Sequence, residues 1–155
     1  MLLLAREGYQ EIAEEIIVQA GIKVKICLEN KYEIRAASDI SLVSSGTATL
    51  EGAIVGTPMV VVYKVSFLTA LVARLLIKIP NIALVNVVAG KRIVPELVQQ
   101  KLTPYTLAKE ALNLLTTPEK FAEIKIQLAE VKNKLGSPGA SFRAAQSILN
   151  YLSSK

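Results

Sequence analysis

Ser45, Gly46 and Thr47 have the types and spacing to hold a phosphate group. Glycine lets a backbone approach a ligand closely, and the flanking hydroxyls add hydrogen-bond donors. If the following residues open a helix, its free N–H groups and dipole favour an anion at this point. A plain turn and helix cap would use the same residue types. Asn86 offers an amide donor and acceptor ahead of Gly90, where a turn-forming Asn is the ordinary alternative. Glu96 and Gln99 are spaced to share one face of a helix. Lys64, Lys91 and Arg92 are either further cations for an anionic ligand or solvated surface.

Other chemistries are excluded by what the chain lacks. It has no histidine and one cysteine, so Ser-His and Cys-His catalysis, Cys/His metal clusters and an internal disulfide are ruled out within it. Cys27 stands in an apolar run and reads as a buried, inert thiol. Scattered lysines without an aromatic platform argue against nucleic acid.

The elements that must position these residues alternate. Strands are expected over 2–5, 22–28, 39–43, 59–63 and 82–85, with 86–91 as a loop. Helices are expected over 8–19, 31–37, 49–55 and 66–79. Pro95 predicts the start of a helix over 96–100, because proline suits a first helical turn. Thr103-Pro104 and Thr117-Pro118 open two more, the second running to Leu135, and 141–152 closes the chain as a helix. This alternation implies βαβ units and a mostly parallel, Rossmann-like sheet with helices on both faces. Ligands of such sheets bind at the carboxyl ends of the strands. Both Ser45 and Asn86 are expected there. The sole plausible boundary falls near 100–104, giving a Rossmann-like unit over 1–103 and a helical segment over 104–155 that packs on it.

The chain is 155 residues long, 52% hydrophobic and 20% charged, which fits one folded domain with a real core. The net charge of +5 suits an anionic ligand or an acidic lipid surface without choosing between them. The first residues lack a signal peptide's basic segment and long apolar core, so a cytoplasmic location is expected. The apolar stretch 65–79 is interrupted by Arg74 and Lys78 and falls short of the ~20 residues a membrane span needs. With Phe67, Leu71 and Leu75 it reads as a core helix or, second, as a lipid-contacting one.

The wording of residues 37–64, with Ser-Ser-Gly-Thr-Ala-Thr-Leu-Glu at its centre, is more specific than any of this. Together with Ala73-Arg74-Leu75-Leu76, Leu84-Val85-Asn86-Val87-Val88-Ala89-Gly90 and Val94-Pro95-Glu96-Leu97-Val98-Gln99, it resembles the C-terminal half of lipid-A-disaccharide synthase, a family of GT-B glycosyltransferases. The resemblance implies transfer of a diacylated glucosamine from its UDP carrier to diacylglucosamine 1-phosphate, this chain supplying the UDP-donor site in the C-terminal half of a GT-B fold. It implies donor binding by Ser45, Gly46, Thr47, Thr49, Glu51, Asn86, Glu96 and Gln99. Glu51 would accept hydrogen bonds from the ribose hydroxyls, and Asn86 would be important for activity. No cofactor or tightly bound metal is implied. Implied partners are the UDP-linked donor, the lipid acceptor and the inner-membrane surface, with an N-terminal half-protein or a homo-oligomer left open. The family's N-terminal acceptor domain, which carries the proposed base, has no counterpart in these residues, nor has the Gly-Ser-Arg loop opening its C-terminal domain. The isolated chain is therefore expected not to turn over. A non-catalytic nucleotide-binding fragment and another GT-B UDP-N-acetylglucosamine transferase are the competing readings.

Overall fold

The computed structural model describes residues 1–66 and 81–153. All strand pairing in it is parallel. β1 (Leu2–Leu3) pairs with β2 (Ile26–Cys27), while β3 (Ser41–Ser44), β4 (Met59–Tyr63) and β5 (Glu96–Val98) form a second sheet in that order. The crossovers are helical, as parallel neighbours require. Helix α1 (Gln10–Ala20) joins β1 to β2, and α3 (Thr47–Val55) joins β3 to β4. Between them α2 (Lys31–Ala36) packs on α3. The architecture is that of a Rossmann-like α/β unit.

The central strand explains its own composition. Met59, Val60 and Val61 are almost completely enclosed, so the run carries apolar residues on both faces instead of alternating. Their cover includes α5 (Pro104–Thr116) and α6 (Pro118–Lys134). Leu114 comes from the first, and Ile124, Leu128 and Val131 line one stripe of the second at helical spacing. Helix α6 lies against α3 and against α4 (Leu84–Ala89), and so closes one face over the loop region. Helix α7 (Ala140–Ser153) has no buried residue.

Four expected elements differ. The strand over 22–28 is reduced to Ile26–Cys27. Residues 82–85 do not form a strand, and 86–91 are not a loop: Leu84–Ala89 is a helix, closed by Gly90 in the left-handed conformation at φ 78°. A short apolar run reads alike as strand or buried helix, and buried hydrogen-bond partners decide in favour of the helix. Nor does Pro95 start a helix. Glu96–Val98 pairs with Val61, Val62 and Tyr63 as β5, followed by a 3-10 turn at Gln99–Lys101. Sheet pairing over a long sequence separation outweighs the local proline signal. Glu96 and Gln99 therefore do not share a helix face. Apart from Ser66, the helix expected over 66–79 lies outside the described residues, and so do Phe67, Leu71, Arg74, Leu75 and Lys78.

Candidate functional site

At the carboxyl end of β3 the chain passes from strand to helix through Ser45 and Gly46. Gly46 is the N-cap of α3, at φ 153° and ψ −163°, a region essentially reserved for glycine. No side chain caps α3 there. The backbone N–H groups of its first turn thus face the sheet's ligand-binding edge without side-chain acceptors. Thr47 is exposed. Ser45 is engaged differently: its N–H donates to the Val62 carbonyl at 3.1 Å, extending the β3–β4 ladder, and its hydroxyl donates to the Ile82 carbonyl at 3.0 Å. Its N–H is thus occupied by the sheet, and Thr49 N–H by the Gly46 carbonyl at 3.1 Å, leaving Gly46, Thr47 and Ala48 as the anion-facing backbone.

Thr49 is fully buried and links two helices. Its hydroxyl donates to the Gly46 carbonyl at 2.8 Å and receives a long 3.4 Å contact from Val85 N–H in the first turn of α4. The start of α4 is thereby held beside the start of α3. Glu96 completes that hold from β5. Its carboxylate accepts from Ile82 N–H at 3.0 Å, Ala83 N–H at 3.0 Å and the Asn86 amide at 2.8 Å. A carboxylate at this point satisfies donors that precede the helix and complements the positive end of its dipole. Arg92 Nη2 stands 3.8 Å from Glu96 Oε2, which places that cation beside the buried carboxylate.

Asn86 itself is enclosed completely, at 0% exposure. Its Nδ2 donates to the Val94 carbonyl and to Glu96 Oε1, and its Oδ1 accepts from Ile93 N–H and Val94 N–H, all within 3.0 Å. Both donors and both lone pairs are used inside the protein. At the other end of α4, Lys134 Nζ donates to the Val88 and Ala89 carbonyls at 3.4 and 3.1 Å, a cation on the negative pole of the helix. Gln99 is bound to the Val65 backbone through both its amide oxygen and its amide nitrogen. Lys64 and Lys91 are exposed.

Glu51 lies one turn into α3 and is half-buried. One of its oxygens, Oε2, is held by Arg35 Nη1 at 2.5 Å. Arg35 gave no signal in the sequence, where it is one basic residue of a short helical turn. In the structure it is buried at 8% exposure. A pocket of about 630 Å³ opens at the carboxyl ends of β1 and β2, lined by residues including Arg6, Lys25, Cys27, Leu28 and Asn30. Asn30 directly precedes α2, the helix that carries Arg35.

An uncapped helix start at the carboxyl end of a parallel strand, with a carboxylate one turn in, is an arrangement that can receive a phosphorylated ligand in Rossmann-like folds. The family model described as lipid-A-disaccharide synthetase matches residues 1–149, and the chain belongs to that family. Among curated relatives, the lipid-A-disaccharide synthase of Syntrophus aciditrophicus (strain SB) is 48% identical over 114 residues, covering 74% of this chain and 30% of the relative. Those of Myxococcus xanthus (strain DK1622) and Geobacter metallireducens are 42% and 38% identical, covering 77% and 90% of this chain and 31% and 36% of theirs. The chain spans about a third of the length of these relatives.

Proposed function

We propose that these residues form the donor-nucleotide site of a lipid-A-disaccharide synthase, which transfers diacylglucosamine from UDP to diacylglucosamine 1-phosphate. The observation that carries this reading is the uncapped first turn of α3 behind Gly46, with Glu51 on the same helix. The diphosphate sits on the first-turn N–H groups of α3, and the ribose hydroxyls donate to Glu51. The reaction is direct displacement at the anomeric carbon, with UDP as leaving group. Its developing charge is stabilised by helix-end N–H groups already in place.

The base that deprotonates the acceptor hydroxyl is proposed to come from outside these residues. Both carboxylates at the site support that view, since Glu96 accepts three internal hydrogen bonds and Glu51 is held by Arg35. Calorimetric titration of the chain with UDP is expected to show saturable binding, and a glycosyl-transfer assay with both lipids to show no disaccharide. Absence of UDP binding would remove the donor-site reading. Disaccharide formation would remove the division of labour.

Attachment to the inner membrane's cytoplasmic face belongs to the same proposal. No helix among the described residues is long and apolar enough to cross a membrane, so any attachment through them is at the surface. Flotation with vesicles rich in acidic lipid is expected to carry the chain upward, and recovery at the bottom of the gradient would count against it.

A further inference from the structure

We propose that Arg35 is a positioning residue for ribose recognition: it fixes Glu51 so that one carboxylate oxygen is closed off and the other is presented to the ligand. The inference rests on the donor-site reading of Glu51. Three observations support it. Arg35 Nη1 bonds Glu51 Oε2 specifically, and among the described residues Oε1 takes no hydrogen bond. Side-chain exposure rises from 9% at Arg35 to 31% at Glu51, so the pair runs from the interior outward and its open end is the carboxylate. Arg35 is too deeply placed to reach a ligand itself.

The third observation is that its backbone is anchored: the Arg35 carbonyl accepts from Thr57 Oγ1 at 2.7 Å and from Ser38 N–H at 3.1 Å. A Glu on a helix otherwise samples several rotamers. A guanidinium fixed from below selects one of them, so binding need not supply that ordering.

A nucleotide with and without its ribose hydroxyls reads this directly. The wild-type chain is expected to bind UDP about tenfold or more tightly than 2′,3′-dideoxy-UDP, the scale of hydrogen bonds to a charged acceptor. Arg35→Met should narrow the preference to about threefold or less, leaving the dideoxy nucleotide's affinity nearly unchanged, and Arg35→Lys should fall between. A role confined to stability would weaken both nucleotides equally and keep their ratio. That result, or an undiminished preference in Arg35→Met, overturns the proposal. Should Arg35→Met lose its circular dichroism transition, Arg35→Lys decides by the same ratio. A wild-type chain that binds UDP but ignores the ribose hydroxyls fails the Glu51 reading, and this proposal with it.

Discussion

Replacing Asn86 by alanine is expected to destabilise the fold by about 3–5 kcal/mol, because one side chain satisfies four buried groups at once. Alanine leaves the Ile93 and Val94 N–H groups, the Val94 carbonyl and Glu96 Oε1 each short of a partner. The residue is at 0% exposure, so water does not replace the amide without opening the core. Asn86→Asp keeps the shape but sets a second carboxylate against Glu96, and should not rescue. Chemical denaturation followed by circular dichroism measures both. A loss below about 1 kcal/mol in Asn86→Ala would contradict the hydrogen-bond account. An activity defect at this position is then expected to follow stability, since the side chain has no group left for a ligand.

Glu51→Ala should behave in the opposite way. UDP affinity is expected to fall about 10–100-fold, the equivalent of one or two charged-acceptor hydrogen bonds at 1.4 kcal/mol per factor of ten. Stability should fall much less than in Asn86→Ala, because Glu51 is partly open to water and its pair with Arg35 is correspondingly screened. Calorimetry with UDP checks the first expectation and a melting curve the second. A change on α6 at partly exposed Lys120, Lys120→Ala, is the control and should leave UDP binding unaltered. Undiminished affinity in Glu51→Ala would remove the carboxylate from the donor site.

The contrast between these residues marks where sequence reading reached and where it stopped. The turn at Ser45, Gly46 and Thr47 was legible because its signals are local: small polar residues between an apolar run and a helical pattern. Capping by Thr103 and Pro104 was legible for the same reason, and Thr103 does form a reciprocal capping box with Thr106. The roles of Asn86 and Glu96 were not, because their partners are each other and backbone groups brought together by a strand that pairs with β4. Pro95 signalled a helix start, yet its carbonyl accepts from Val61 N–H in the sheet. Arg35 was silent because its partner is 16 residues away on another helix. Local chemistry shows in the order of residues, whereas the supports behind a site are visible only once the sheet has brought them together.

Helix α4 shows what such support means for folding. Its six residues fall well below the ~12–15 at which an isolated helix becomes even marginally stable. Glu96 and Thr49 hold its first turn and Lys134 its last, and these come from β5, α3 and α6. Closing those connections means ordering long intervening chain before the contacts form. Helix α4 is thus expected to order late, after the sheet and the helical layer have met. A chain that stops before Lys134 would lack one of the three contacts that hold this helix, so the helical segment beyond the sheet supports a turn 45 residues before it.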